Sequence, residues 1–177
     1  ATHIPGPTAT AMGGLVSTMG PPLDTDGDEA ASITQGYALW PYGEYIGMVG
    51  LDDWEASWYA MDQLTQRLTS EFAVRPFLAA DLERALDCFR APCRHSSQHV
   101  RRWVSEGSRT RLPWGKAVPG LRQAVKERLE LLEVLKDDPS TYVRRSVANH
   151  LGDILKDSPE VGLEVVERWA SHPHPNV

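Results

Sequence analysis

The stretch HVRRWVSEGSRTRLPWG, residues 99–115, gathers four arginines around one carboxylate, Glu106. Arg102 and Glu106 lie four residues apart, so a helix would place them on one face. Such a pair is ordinarily a surface ion pair that contributes about 0.3 kcal/mol. However, Arg before Glu is the weaker orientation, and Glu106 falls in the last helical turn, where the helix dipole disfavours an anion. A carboxylate in this position is therefore a candidate for chemistry.

A second stretch, YVRRSVANHLGDILKD at residues 142–157, carries a comparable polar row. Arg145, Asn149 and Asp153 follow one another at steps of four, which places them on one face of a helix. Asp153 lies late in its helix, so the dipole argument applies to it as well. We predict Asp153 and Glu106 as catalytic carboxylates, and Asn149 as a contact to a base or sugar.

The two stretches are related by an internal repeat. They align when Val100 is placed on Val143, an offset of 43 residues, and this offset also places Arg102 on Arg145. Offsets near 40 are typical of HEAT and armadillo repeats, in which helix pairs stack into a solenoid with a concave binding face. Equivalent helices would then direct their polar rows to the same side.

The charge of the chain is unevenly distributed. The formal net charge is −6, but residues 90–145 hold 13 basic and 6 acidic side chains. A local positive potential of this kind favours a polyanion such as nucleic acid, although a solvated basic face is the common alternative. The arginines predicted to bind a phosphate backbone are Arg101, Arg102, Arg109, Arg111, Arg144 and Arg145.

Trp114 lies between Pro113 and Gly115 in a segment that the prolines and glycines mark as a loop. A loop can present the flat indole to a base or a sugar, and we predict that contact for Trp114. The alternative for a single tryptophan is ordinary filling of the core.

The elements that must position these residues are all predicted to be helical, because no alternating pattern flanked by hairpin turns occurs. Residues 1–35 are predicted to be a flexible or irregular arm, and the aromatic segment that follows an irregular lead-in. Apolar residues then recur at steps of three and four. Expected helix starts are Asp52 or Asp53, Pro76, Ser96 or Ser97, Ser140 and Ser158, with Gly107 closing the third helix.

Three long motifs resemble the AlkC branch of the AlkC/AlkD alkylpurine DNA glycosylases. They are LTSEFAVRPFL at residues 68–78 and the two VRR stretches described above. The resemblance implies a HEAT-like solenoid that binds double-stranded DNA and hydrolyses the N-glycosidic bond of N-alkylated, cationic bases such as 3-methyladenine. It implies no metal or organic cofactor. It also adds Glu71 to the catalytic carboxylates, since Glu71 occupies the matching position of the first motif.

The family's helical domain continues with further repeats, so residues 36–177 are predicted to be a glycosylase domain truncated at its C-terminus. The implied mechanism uses anions near the sugar as oxocarbenium character develops, together with a positioned water. Either Asp153 or Glu106 could activate that water. Only Lys156 lies within the three motifs, so a monofunctional enzyme without Schiff-base chemistry is expected.

Two rival functions remain open. Helical repeats most often serve as non-catalytic scaffolds for protein or nucleic acid, and clustering of Glu106, Asp153 and Trp114 would argue against that role. His95 and His99 are four residues apart and could bind zinc, although no third ligand follows in a recognisable pattern. The two cysteines fit no metal or redox motif, and with no apolar run of membrane-spanning length we expect a cytoplasmic monomer.

Overall fold

The computed structural model describes residues 6–22 and 36–171, and in these ranges every regular element is a helix. Short 3₁₀ turns occur at Tyr37–Leu39, Gly50–Asp52 and Pro92–Arg94. The predicted all-α class is therefore confirmed. The α-helices are α1 Pro7–Ser17, α2 Trp40–Val49, α3 Trp54–Thr65, α4 Arg75–Ala80, α5 Leu82–Cys88, α6 Gln98–Gly107, α7 Gly120–Gln123, α8 Val125–Leu135, α9 Thr141–Asp157 and α10 Pro159–Ala170.

The helix starts follow the capping residues in the sequence. Asp53 caps α3, because its carboxylate accepts the Ala56 N–H at 3.1 Å. Ser97 and Ser140 occupy the N-cap positions of α6 and α9, and Ser158 that of α10. These starts confirm the predicted boundaries.

The predicted second helix is divided in two. Leu78, Leu82 and Leu86 recur at steps of four, which favours one continuous helix, but Asp81 adopts an extended conformation with φ −150° and separates α4 from α5. The Asp81 carboxylate accepts the Arg84 N–H at 3.1 Å, so it acts as an N-cap. An aspartate that can cap competes with the continuing helix, and this outweighs the apolar periodicity.

The helices α6 and α9 pack against each other and repeat the same local design. Val100 and Val143 are both fully buried. Arg101 donates to the carbonyls of His95 and Ser96, six and five residues upstream, and Arg144 makes the same pair of hydrogen bonds to Asp138 and Pro139. The 43-residue offset therefore corresponds to a repeated structural unit, as the predicted helical-repeat fold requires.

The N-terminal region differs from the expected arm. Residues 7–17 form α1, which packs on α3 and buries Met12, with Met19 just beyond it. The prediction of a flexible or irregular segment is therefore wrong for residues 7–17, because their apolar side chains pack against α3 and this packing stabilises the helix. The parts of the predicted arm at residues 1–5 and 23–35 lie outside the described residues.

The aromatic lead-in is also helical rather than irregular. Gly43 and Gly47 break the apolar pattern in the sequence, but both lie within α2 where this helix packs on α4. A Cβ atom at Gly47 would lie 3.5 Å from the Ala73 carbonyl oxygen, an ordinary van der Waals distance, so the two glycines interrupt the apolar pattern without interrupting the helix.

Aromatic rings pack against α6 through Trp103. Trp103 is fully buried, and its ring centroid lies 5.0 Å from that of Phe89 and 5.5 Å from that of Trp58. Such contacts between rings stabilise beyond the area they bury. They fix the orientation of α6 and with it the positions of Arg102 and Glu106 on the same helix. None of the helices in residues 6–22 and 36–171 is long and apolar enough to cross a bilayer.

Candidate active site

Five charged residues form a row in which carboxylates and guanidiniums alternate: Glu71, Arg102, Glu106, Arg109 and Asp153. We call this set the carboxylate row. Its members come from the turn before α4, from α6 and the loop after it, and from α9. The fold thus brings together all three carboxylates that the sequence and the family resemblance nominated.

Arg109 joins Glu106 to Asp153. Its Nη1 donates to Glu106 Oε2 at 3.0 Å, while Nε and Nη2 donate to the two oxygens of Asp153 at 2.8 and 3.3 Å. Both carboxylate side chains are only about 5% exposed or less. The adverse helix dipole at Glu106 is therefore offset by a buried, hydrogen-bonded cation at close range.

Arg102 forms the other end of the row. Its Nη1 donates to Glu71 Oε2 at 3.1 Å, and Nη2 lies 3.7 Å from Glu106 Oε1. The same Glu71 oxygen accepts the Thr69 hydroxyl at 3.0 Å. Glu106 is thus not part of a simple surface pair with Arg102, because its shorter contact is with Arg109.

The cations of the row hold their charge firmly. Burial lowers the pKa of Arg109, but the hydrogen bonds and charges of Asp153 and Glu106 outweigh burial and raise the pKa above its usual value. For Arg102, burial is likewise outweighed by Tyr142, Glu71 and Glu106, which raise its pKa. Three carboxylates and two guanidiniums leave a formal charge of −1 on the row. Such a site favours positive charge that develops beside it.

Arg101 and Arg144 are committed to internal contacts. Besides the carbonyls described above, Arg101 forms a bidentate pair with Asp138, at 2.5 and 2.9 Å. The Arg101 side chain is 13% exposed. Both arginines therefore brace the starts of their helices, which argues against the phosphate contacts predicted for them. Arg102 and Arg109 also turn inward, toward carboxylates, and not outward toward a phosphate backbone.

The remaining predicted contacts lie on the surface. Arg145 and Asn149 are exposed on α9, on the same face as Asp153, which is buried further along the helix. Arg111 is 44% exposed and donates to Asp157 at 2.7 Å. These side chains are more accessible to a ligand than those of Arg101, Arg102 and Arg109, which are 12–20% exposed.

Trp114 is presented to solvent. Its residue is 94% exposed, and its φ of +61° lies in the left-handed region that non-glycine residues rarely adopt. Core filling is therefore excluded as its role. The indole borders a depression of about 160 Å³ whose wall includes Trp40, Glu44 and Phe72. Trp114 is connected to the carboxylate row through the loop that carries Arg109, rather than being a member of the row.

Arg75 holds that loop, and sequence reasoning missed it. Its Nη1 donates to the carbonyls of Gly107 and Arg109 at 3.0 and 2.8 Å, and its Nε donates to the Lys116 carbonyl at 2.8 Å. Arg75 is 2% exposed, and burial lowers its pKa to about 10. No pattern in the sequence separates this buried arginine from the surface arginines of the same chain.

The histidine pair predicted as a possible zinc site does not form one. His95 Nδ1 accepts the backbone N–H of Ser97 at 3.0 Å, while the His99 ring packs against Tyr142. Within residues 6–22 and 36–171, no group of three or more histidine, cysteine, aspartate or glutamate side chains is arranged to hold a metal ion.

Comparison with known proteins adds two similarities, while no family model matches the chain. The chain is 47% identical over 134 residues to uncharacterized protein YhaZ of Bacillus subtilis (strain 168), covering 75% of this chain and 38% of that protein. Its structure is similar to Pseudomonas fluorescens alkylpurine DNA glycosylase AlkC bound to DNA containing an abasic site analog. The TM-score is 0.69 at 38% identity, covering 80% of this chain and 42% of that one. The chain thus spans about two fifths of the length of each relative, and it shares the helical-repeat fold of a DNA glycosylase.

Proposed function

We propose that this chain is the helical-repeat part of a monofunctional DNA glycosylase of the AlkC/AlkD family. Its reaction is hydrolysis of the N-glycosidic bond of N-alkylated bases such as 3-methyladenine in double-stranded DNA. The carboxylate row carries this proposal, because it gathers three buried acids from three separate segments of chain. The likeness to AlkC supports the same reaction class. We assign the activity to the domain predicted over residues 36–177, acting as a monomer.

The chemistry of the row suits a cationic leaving group. An alkylated base already carries positive charge, so its departure needs no general acid, and positive charge instead develops on the sugar. Fixed carboxylates beside the sugar stabilise that charge, and one of them can accept a proton from the attacking water. We propose Asp153, Glu106 and Glu71 as the catalytic carboxylates, and either Asp153 or Glu106 as the residue that activates the water.

The surrounding residues divide into two groups. Arg102 and Arg109 act as positioning residues, because their guanidiniums bind the carboxylates. Trp114 and Asn149 are exposed and are proposed to contact the damaged nucleotide, while Arg111 and Arg145 are proposed to contact the flanking backbone.

The row favours catalysis over a scaffold role on energetic grounds. Burying several charges costs desolvation energy, and paired charges recover it only when hydrogen bonding is good. Apolar residues of similar volume would hold α6 and α9 together at least as well. A scaffold therefore gains nothing from three buried carboxylates at this junction, whereas a site that stabilises an oxocarbenium ion requires them.

The test is release of free base from methylated duplex DNA by the wild type, Asp153→Asn and Glu106→Gln. We expect at least a hundredfold loss of rate in one of the two variants, since one stabilising group is worth about 2.7–4 kcal/mol in a transition state. The matched control is Glu130→Gln, which removes an exposed carboxylate paired with Arg90.

Circular dichroism and thermal unfolding would establish that each variant is folded. A folded wild-type chain that releases no base would contradict the proposed reaction. Unchanged release in both carboxylate variants would remove the row from the mechanism.

A further inference from the structure

A second charged cluster lies beside the carboxylate row, around Asp157. This residue ends α9, and its side chain is 2% exposed. Its carboxylate accepts the Thr110 hydroxyl at 2.6 Å and Arg111 Nη2 at 2.7 Å, and Arg122 Nε lies 3.6 Å away. Burial raises the pKa of Asp157, but the hydrogen bonds from Thr110 and Arg111 outweigh it and lower the pKa. The carboxylate therefore remains ionised as an anchor for two cations.

The two arginines of this cluster are accessible. Their side chains are 44% exposed for Arg111 and 61% for Arg122, against 12% for Arg109 in the carboxylate row. Each uses one nitrogen toward Asp157, and their other guanidinium nitrogens have no protein partner in the part of the chain that the structure describes. Donor groups on both side chains are thus available to an external ligand.

The charge and geometry of the cluster fit one phosphate. Two guanidiniums and one carboxylate give a formal charge of +1, which complements the single negative charge of a phosphodiester. Arginine N–H groups form a planar fork that binds phosphate oxygens in pairs. Asp157 hydrogen-bonds Arg111 and Thr110, and its charge draws Arg122 to within 3.6 Å, so Arg111 loses less side-chain freedom on binding than an unrestrained arginine.

The position of the cluster relates it to the proposed chemistry. Asp157 lies one helical turn after Asp153 on α9, about 6 Å along the helix axis. Thr110 and Arg111 directly follow Arg109 in the chain. A phosphate bound here would therefore lie beside the carboxylate row, within the distance that separates a sugar from its neighbouring backbone groups.

We propose that Arg111 and Arg122 form a clamp for a single phosphodiester group of DNA, with Asp157 hydrogen-bonded to Arg111 and in charge contact with Arg122. This inference rests on the proposed function, since it takes DNA as the ligand, and it adds Arg122 to the residues that sequence analysis nominated. The clamp holds the backbone in register while the carboxylate row acts on the adjacent sugar.

The test measures binding of the whole chain to a fluorescent duplex over a series of KCl concentrations. Each phosphate contact contributes about 0.9 to the slope of log K against log [KCl]. We expect Arg111→Gln and Arg122→Gln each to reduce the slope by no more than about 0.9. The double variant is expected to lose about 0.9 in total, because both side chains serve one phosphate. Arg90→Gln, which removes an exposed arginine paired with Asp87 and Glu130, is the matched control and should leave the slope unchanged.

Two results would overturn the clamp. An unchanged slope in the double variant would show that neither arginine contacts the backbone, and a loss of about 1.8 would show two independent phosphate contacts. Base release by the wild type, measured separately, distinguishes this failure from failure of the proposed function. Wild-type activity with an unchanged slope removes only the clamp, whereas absence of both DNA binding and base release removes both proposals.

Discussion

The guanidinium of Arg109 binds both carboxylate oxygens of Asp153, a residue 44 positions further along the chain, at 2.8 and 3.3 Å. The same guanidinium donates to Glu106. A loop residue next to the end of α6 thus fixes the relative position of two acids on two different helices. The geometry of the proposed catalytic carboxylates therefore depends on a residue that need not touch the substrate.

Arg109→Lys tests this dependence. An ammonium group keeps the positive charge but cannot form the bidentate fork, so the two carboxylates lose their fixed spacing. We expect the rate of base release to fall by about tenfold or more, while DNA affinity changes little. Single-turnover kinetics with a separate binding assay distinguish the two quantities. Arg90→Lys, at an exposed ion pair, is the control, and an equal loss in that variant would contradict the positioning role.

Trp114→Gly separates stability from binding. The residue is almost fully exposed and adopts a left-handed backbone conformation that glycine tolerates without strain. Urea unfolding should therefore give an unchanged or slightly raised free energy of unfolding, by up to about 1 kcal/mol. Affinity for DNA that contains an abasic site should fall, because the stacking surface is lost.

Trp103→Ala is the contrasting variant for Trp114. Trp103 is fully buried, so its removal should cost about 3–5 kcal/mol of stability. Equal destabilisation by both tryptophan variants would show that Trp114 supports the fold.

His150 should make the stability depend on pH. Its Nδ1–H donates to the Ser105 carbonyl and its Nε2 accepts from Arg128, so the ring is neutral. Burial, and then the charges of Arg128 and Arg109, hold the pKa of His150 well below 6.5. In the unfolded chain the ring titrates near its ordinary pKa, so the unfolded state binds more protons as the pH falls.

The contribution of His150 is thus fully present above about pH 6.5, and it declines below that pH by up to about 1.4 kcal/mol per pH unit. Urea unfolding between pH 7.5 and 5 would measure this slope in the wild type and in His150→Gln, where most of it should disappear. His99, whose pKa burial and Arg102 also lower, contributes a smaller part, and His99→Gln is the comparison. A slope that His150→Gln leaves intact would assign the pH dependence to other groups.

Borohydride trapping tests the monofunctional mechanism. A lysine that attacked the sugar would leave a reducible Schiff base on the DNA. Lys116 is exposed and borders the depression beside Trp114, and its carbonyl is bound by Arg75. We expect no covalent adduct when base release is run with borohydride, and base release itself should continue in EDTA. A trapped adduct that disappears in Lys116→Ala would replace water with an amine as the nucleophile.

Local signals in the sequence predicted much of the fold. Serine or aspartate at the N-cap position marked the starts of α3, α6 and α9, and of these three only Asp53 accepts a backbone N–H with its side chain. The apolar periodicity identified the buried faces, including Val100 and Val143. The division at Asp81 and the formation of α1 were not predicted, because both depend on a competition between local preference and packing against distant residues.

The candidate site was predictable in part. Glu106 and Asp153 lie late in their helices, where the helix dipole disfavours an anion, and this local signal predicted both as functional residues. The fold brings the two together through Arg109. The sequence did not predict which way each arginine side chain points, since the pattern VRR is the same whether the guanidinium faces solvent or a backbone carbonyl. Arg75 and Arg101 show this limit, because their partners lie in loops whose backbone path is set by the whole fold.

The hydrogen bonds from Arg101 and Arg144 to backbone carbonyls bear on how a helical-repeat chain can lengthen. Each guanidinium binds carbonyls of the loop directly before its own helix, so this contact needs no particular side chain in the neighbouring unit. A duplicated copy of the unit therefore carries its own brace with it. Gene duplication can then lengthen the array by whole units whose helix starts are already braced, whereas side chains that pair between units, such as Arg101 with Asp138 and Arg109 with Asp153, must change together.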